Sequence, residues 1–342
     1  MSDAVEVANL QEMTRDEWLR ARRNGIGASE AAAIVGQSPW SSPYQVWLDK
    51  TGQIPVSGEE TEAMYFGTLL EDTIAKAVAD RTGWQVVDPK RTYAHPKHSW
   101  MLASPDRLVW FGAEMGLLEI KNSGGYKLDE WKSGEPGEDG RWVGGEAPLH
   151  YILQVQHQHA VMGTSIGYIG ALLGGNRLCI VEVPRDDELI EMLIGKEAAF
   201  WYDHVGANVA PPLDGMQSTT DALAQIFAES DPSKSVELDE QIARAILDYA
   251  DASSAEAKAK EAKTLAGNIL RDALGDAEEA TYQGVPVASW KAQATDRFDQ
   301  AAFKAEYPEI YSKFVKPTHS RVLRTGKSKA AQEALAIIKE SE

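Results

Sequence analysis

The sequence predicts an α/β fold, a mixed central sheet flanked by helices, followed by an α-rich C-terminal extension. Three observations carry this expectation. Between residues 84 and 183 short strand-like apolar runs interleave with helically spaced apolar residues, which also recur at 68–82, 149–163 and 187–204. At 342 residues the chain is longer than one hydrophobic core usually sustains, about 250–300 residues. After Pro211-Pro212 the composition turns to Ala, Glu, Asp, Lys and Ser. The expected organisation is a core over 1–210, an acidic Ala-rich helical hairpin or coiled coil over 211–280, and a C-terminal segment over 281–342 that packs back on the core.

In chain order, Thr14 with Glu17 three residues later forms a capping-box pattern, so a helix is expected from Thr14 toward Arg23. The run Gly25-Ile26-Gly27-Ala28-Ser29 reads as a turn into a short helix over 30–35, closed by Gly36. Ser42-Pro43 supplies an N-cap and a first-turn proline for a helix that Gly52 stops. Residues 53–63 form a polar connection. Leu70, Ile74, Ala77 and Val78 recur at helical spacing before Gly83, which puts Glu71 in the first turn of a helix over 68–82. Strands are expected at 84–87, 101–103, 108–111 and 117–120, the last two joined by a hairpin-sized connection. The pattern then lapses up to Pro148, with Trp131 and Trp142 inside an irregular insertion of a length usually reserved for mobile or functional segments. These two rings either stack on unpaired bases or anchor the insertion to the core. A helix at 149–163, a hairpin of strands at 166–173 and 178–183, and a helix at 187–204 complete the core. Beyond it, Leu238, Ile242, Ile246 and Tyr249 make one apolar stripe and Leu265, Ile269 and Leu270 another. A strand pair near 280–290, a helical stretch over 298–314 and a basic tail with a final helix end the chain.

The chain carries 34 Lys and Arg against 52 Asp and Glu, a formal charge of -18. That balance excludes coating of nucleic acid by the whole surface, because such binding needs clustered cations that release counterions. It leaves room for a confined site. Arg15, Arg20, Arg22 and Arg23 cluster near one end, and Arg321, Arg324, Lys327 and Lys329 near the other, although a solvated face explains either cluster equally well. The single cysteine, Cys179, excludes an internal disulfide framework and any cysteine-built zinc or iron–sulfur cluster. It reads as a small buried hydrophobe in a reducing, cytoplasmic setting. No apolar run approaches the ~20 residues that span a bilayer.

The chemistry concentrates in Ser104-Pro105-Asp106 and Glu119-Ile120-Lys121. Glu119 and Lys121 are two apart on an expected strand, so their side chains share one face. Asp106 and Glu119 offer hard oxygen ligands suited to Mg2+, which activates water and offsets the charge that builds on a phosphate. Lys121 would orient that water or compensate charge. Taken by itself, a Glu-x-Lys pair is more often a cross-strand ion pair. Glu71 is a candidate third acid, against the plainer reading of a first-turn glutamate favoured by the helix dipole. Gln154 and Gln156 lie among apolar neighbours and need partners. His150, His157 and His159 share a helix, and satisfied structural histidines are the better reading of them than a metal site.

Arg22 with GIGASEAAAIVGQSPWSSPYQVWLDKTG, Tyr65-Phe66-Gly67-Thr68-Leu69-Leu70-Glu71, the Ser-Pro-Asp at 104–106, Leu118-Glu119-Ile120-Lys121 and His150-Tyr151-Ile152-Leu153-Gln154-Val155-Gln156-His157-Gln158 together resemble the YqaJ-like viral recombinase and lambda exonuclease family. That family lies within the PD-(D/E)xK nuclease superfamily with its restriction-endonuclease-like core. The resemblance spans about 14–205, and 281–314 also resembles the C-terminal part of phage members. It implies a Mg2+-dependent 5′-to-3′ exonuclease on linear double-stranded DNA, with Mn2+ as a substitute, leaving 3′ overhangs for phage-type recombination. By the same resemblance Asp106, Glu119, Glu71 and the Ile120 carbonyl hold metal, Lys121 is the catalytic lysine and Gln154 the active-site glutamine. Ser29 and Arg22 contact the 5′ phosphate, with Arg23 as the alternative to Arg22. Double-stranded DNA ends, a single-strand annealing protein and a homo-oligomer, a trimer in the best-understood relatives, are the implied partners. The alternatives are a structure- or sequence-specific endonuclease, and a non-catalytic DNA-end-binding scaffold that recruits the annealing protein.

Overall fold

The computed structural model describes residues 3–55, 61–124, 128–316, 321–326 and 328–340. Lys327 of the basic tail, 56–60 of the polar connection and 125–127 of the insertion lie outside the described residues. The chain divides into two compact units, Met1–Phe227 and Ala228–Glu342. Among the described residues no helix is long and apolar enough to cross a membrane.

The first unit opens with β1 (Val5–Asn9), α1 (Arg15–Arg22), β2 (Ile26–Gly27), α2 (Ala28–Ile34), α3 (Pro43–Lys50) and α4 (Glu62–Thr82). It continues with β3 (Gln85–Val87), β4 (Arg91–Ala94), β5 (Met101–Ala103), β6 (Arg107–Phe111) and β7 (Glu114–Ser123). The short pair β8 (Glu135–Pro136) and β9 (Trp142–Val143) precedes α5 (Leu149–Met162), β10 (Ile166–Leu173), β11 (Arg177–Pro184), α6 (Asp187–Ala199) and α7 (Gln217–Ile226). The main sheet has the order β11-β10-β7-β6-β3; it is mixed because β10 runs parallel to β7 while the other neighbours are antiparallel. A second sheet, β1-β4-β5-β2, lies beside it in the same unit.

Helices cover both faces of the main sheet. On one, Ile74, Ala75 and Val78 of α4 pack with Leu118, Ile120, Tyr168 and Ile180. On the other, Val155 of α5 packs with Ile169, Ala171, Val181 and Val183. Two glycines of β10 set how close the helices come. A Cβ at Gly170 would stand 2.8 Å from Val78 Cγ2, and one at Gly167 would stand 2.8 Å from Val155 Cγ1. These residues are three apart on a strand and therefore face opposite sides.

The local signals act as their chemistry dictates. Thr14 and Glu17 form the capping box of α1, Ser42 caps α3 ahead of Pro43, and Gly83 (φ 74) and Gly163 (φ 64) close α4 and α5 in the left-handed region. Three differences from the sequence reading have physical causes, and one alternative that it left open, the role of Trp131 and Trp142, is decided. Helix α4 begins at Glu62, capped by Thr61, so Glu71 lies deep inside it; the first turns carry the exposed Met64, Tyr65, Phe66 and Leu69, and apolar burial starts only near Leu70. Strand β1 is an exposed edge strand of the second sheet, and β4 inside it alternates but buries only the small Thr92 and Ala94, so neither carries a strong apolar pattern. The insertion is pinned, with Trp131 5% and Trp142 9% exposed, so both rings anchor it and neither is presented to a base. The first unit runs past Pro211-Pro212 because α7 docks on α3: Ala222 is buried in the core and Thr219 Oγ1 donates to Ser42 Oγ at 2.7 Å.

The second unit contains α8 (Glu240–Leu274), β12 (Glu279–Tyr282), β13 (Val285–Ser289), α9 (Gln300–Glu306), α10 (Pro308–Phe314) and α11 (Lys329–Glu340). Of the two forms expected for 211–280, a helical hairpin or a coiled coil, the hairpin does not form, because α8 is one uninterrupted helix of 35 residues. The segment has no proline and its only glycine is Gly267, so nothing turns the chain between the two apolar stripes. Strands β12 and β13 form an antiparallel hairpin, and α11 packs on α8 near Ile246, Ala250 and Leu335.

Candidate active site

A cavity of about 940 Å³ opens in the first unit, and its lining includes Arg22, Ser29, Glu71, Asp106, Glu119, Lys121 and Gln154. Strand β7 supplies the centre. Leu118 and Ile120 turn to the α4 face, so alternation sends Glu119 and Lys121 to the α5 face, where Lys121 Nζ pairs with Glu119 Oε1. Just ahead of β6, Asp106 lies against the same strand, its Oδ2 accepting the Ile120 N–H at 2.8 Å. Because the N–H and C=O of one strand residue face the same neighbour, the Ile120 carbonyl is turned to that edge as well.

Glu119 is 2% exposed and fully engaged. Its Oε1 accepts from Lys121 and Gln154, and its Oε2 accepts from Gln158 Nε2 at 2.7 Å. Gln154 and Gln158 are one turn apart on α5 and so reach the same carboxylate. Gln156 points elsewhere, donating to the Pro184 carbonyl at 2.7 Å and accepting from the Asp186 N–H at 3.0 Å. Burial and the neighbouring Glu119 charge hold the Asp106 carboxyl well above the usual carboxylate range, with Lys121 opposing them. For Lys121, burial works against the ammonium, but Glu119 and Asp106 outweigh it and push its pKa up. Lys121 also lies 5.1 Å from the Tyr151 ring centre.

Glu71 reaches the cavity from α4, where its Oε1 is held by Arg107 Nη1. The Arg107 guanidinium is nearly buried and also grips Asp72 and the Asp106 carbonyl. It thus ties α4 to the start of β6. Among the described residues no group of three or more His, Cys, Asp or Glu side chains gathers as a metal cluster. The donors nevertheless suit a hard dication. Asp106 and Glu119 are two buried carboxylates at the cavity wall, and both burial and the Glu119 charge disfavour the Asp106 anion, a cost that a bound cation would offset.

Arg22 and Ser29 meet at the cavity's other side, with Arg22 Nη2 donating to Ser29 Oγ at 3.1 Å. The guanidinium lies 5.0 Å from the Trp18 ring centre and 3.6 Å from Glu30 Oε1. Beneath it the Lys50 ammonium, with its side chain 0% exposed, pairs with Glu30 at 2.7 Å and donates to the Arg22 carbonyl at 2.8 Å. Burial works to raise the Glu30 pKa, but Lys50 and Arg22 hold it below the ordinary value. Arg23 turns away, bound to Asp49 and to the Ile54 carbonyl. The two arginines adjacent in sequence therefore part, and the cavity receives Arg22.

His157 and His159 are structural. His157 lies between Glu197 and the Leu102 carbonyl, and His159 between Thr164 and the Val183 carbonyl. Sequence reasoning passed over four residues of the site. Gln158 was legible from its i,i+4 relation to Gln154, and Glu30 from its place in the first turn of α2, where it accepts the Gly27 N–H at 2.8 Å; Arg107 and Lys50 carried no such signal, because their carboxylate partners are distant in sequence.

Comparison with known proteins places this geometry in context. A model described as the YqaJ-like viral recombinase domain matches residues 17–165. Protein YqaJ of Bacillus subtilis (strain 168) is 38% identical over 324 residues, 93% of this chain and 96% of that protein. Among solved structures, the alkaline exonuclease LHK-Exo of Laribacter hongkongensis is 24% identical, covering 57% of this chain and 94% of that one, with a TM-score of 0.44. A phage-related exonuclease of Haemophilus somnus 129PT is 14% identical, covering 54% and 96%, with a TM-score of 0.39.

Proposed function

The chain belongs to the YqaJ-like viral recombinase family, and from that premise we propose that it is a Mg2+-dependent nuclease on the ends of linear double-stranded DNA. It removes nucleotides from 5′ ends and leaves 3′ strands for a single-strand annealing protein. One observation carries this reading. The buried Asp106–Glu119 carboxylate pair, with Lys121 beside it, shares a cavity with the hydrogen-bonded Arg22 and Ser29.

Asp106, Glu119 and the Ile120 carbonyl would hold the cation, with Glu71 as the further acid of the family pattern. Mg2+ supplies Lewis-acid stabilisation of the charge that develops on the phosphoryl oxygens. Lys121, kept protonated by its two carboxylate neighbours, donates a hydrogen bond to the attacking water or a phosphate oxygen and does not serve as a base. Gln154 and Gln158 fix both oxygens of Glu119, so the carboxylate need not reorganise during the reaction. Arg22 and Ser29 offer a charge-assisted clamp for the terminal phosphate, setting which phosphodiester reaches Asp106. The annealing partner and a trimeric assembly rest on the family resemblance alone.

Digestion of a linear duplex labelled at either the 5′ or the 3′ terminus, with and without a 5′ phosphate and beside a closed circle, tests the proposal in Mg2+ and in EDTA. Mononucleotide release from 5′-phosphorylated linear ends in Mg2+, abolished by Lys121→Ala, is expected. Cutting of the circle would make the protein an endonuclease, and binding without cleavage would make it a scaffold.

A further inference from the structure

The two tryptophans of the insertion are buried, but another aromatic side chain is not. Trp40 is 70% exposed, an unusual state for the largest apolar side chain. Its backbone is nevertheless held. Pro39 fixes the preceding φ, and Ser38 Oγ accepts the N–H groups of both Trp40 and Ser41 at 3.2 Å. The indole meets His150 edge to face with ring centres 6.4 Å apart, His150 lies 4.0 Å from Tyr151, and the Lys121 ammonium lies 5.1 Å from the Tyr151 ring. An open aromatic surface is thus joined to the site lysine by three contacts, none longer than 6.4 Å.

Every nucleobase has a π face, and an exposed ring on a rigid turn stacks on it with little entropic loss. We propose that Trp40 is a stacking platform for a nucleobase of the DNA strand whose phosphate sits at Lys121, within the few nucleotides flanking that phosphate. This rests on the nuclease reading for its ligand, and it adds a contact that holds substrate without touching the reacting atoms. A base stacked on Trp40 anchors the strand beyond the cleft, so the contact acts on substrate affinity more than on the chemical step.

Full-length wild type, Trp40→Ala and Trp40→Phe are titrated in EDTA with a 5′-phosphorylated duplex and with matched duplexes carrying one abasic site at each of the terminal positions in turn. Trp40→Ala is expected to weaken binding of the intact duplex about tenfold, and Trp40→Phe to restore most of it. At one position the abasic site should cost the wild type a similar factor and cost Trp40→Ala nothing further. In Mg2+ the Ala variant should raise KM with little change in kcat. Equal affinity of wild type and Trp40→Ala for intact DNA, or abasic penalties that the substitution changes at no position, would overturn the platform. If that happens while wild type still cleaves and Asp106→Ala does not, the nuclease reading survives alone; a wild type that binds no DNA removes both.

Discussion

Replacing His157 by leucine should cost the first unit about 3–5 kcal/mol, the penalty of stranding one member of a buried ion pair. Both side chains of the His157–Glu197 pair are 0% exposed. His157 Nδ1 lies 2.9 Å from Glu197 Oε1 and Nε2 lies 2.9 Å from the Leu102 carbonyl, so both ring nitrogens face acceptors and both donate. Burial disfavours the imidazolium, yet Glu197 outweighs it and raises the pKa. Leucine would leave a buried carboxylate whose Oε2 already has no hydrogen-bond partner. For a unit of this size 1 kcal/mol corresponds to about 2–4 °C, so the melting temperature should fall by about 6–20 °C in scanning calorimetry. Because the folded-state pKa is raised, the pair's stabilisation is complete below the unfolded value of about 6.5 and is lost as pH rises through the folded value. The gap between wild type and variant should therefore narrow at alkaline pH. The double variant His157→Leu with Glu197→Leu should recover most of the loss, since no charge is then stranded. Cleavage should also weaken, as α5 carries Gln154 and Gln158 on either side of His157. A gap under about 1 kcal/mol at acidic pH, or a double variant as unstable as the single, would refute the reasoning.

Asp106→Asn should abolish cleavage yet stabilise the metal-free fold by about 0.5–2 kcal/mol, because the amide oxygen still accepts the Ile120 N–H while the charge crowding Glu119 is gone. A carboxyl with a raised folded-state pKa makes stability fall as pH rises from its unfolded value of about 3.9 to its folded one, so melting curves in EDTA should show the variant's advantage growing across that window. Adding Mg2+ should raise the melting temperature of wild type and not of this variant, by mass action on the folded state. Arg22→Ala should reduce the preference for 5′-phosphorylated over 5′-hydroxyl ends by about tenfold to a hundredfold, the worth of a charge-assisted hydrogen bond, read as a ratio of kcat/KM values; equal losses on both ends would instead mark general DNA binding. Gly25→Ala would set a Cβ 2.4 Å from the Trp100 carbonyl oxygen and 2.7 Å from Leu102 Cγ, prying β2 from β5, and urea denaturation should register about 1–3 kcal/mol of destabilisation.

Legibility followed the range of each interaction. Caps and stops such as Thr14 with Glu17, Ser42-Pro43, Gly83 and Gly163 act within one turn, so residue identity sufficed to place them. The strand at 117–120 was visible because both of its faces are covered and it is apolar nearly throughout, whereas β1 is an exposed edge strand and β4 buries only the small Thr92 and Ala94 at its alternate positions. The start of α4 was missed for a related reason: its first turns are helical by capping and backbone bonding, with their apolar side chains left in water.

By itself the sequence determined the α/β class, the shared face of Glu119 and Lys121, and the set of motifs that mark the family, because strand alternation and short motifs are properties of neighbouring residues. Only the tertiary structure decided that Gln158 joins Gln154 on Glu119, that Arg107 binds Glu71, that Arg22 and not Arg23 turns to the cavity, and that Trp40 is open while Trp131 and Trp142 are buried. Each of those outcomes depends on which distant segment arrives beside a side chain, and burial, ion pairing and exposure are fixed by that neighbour.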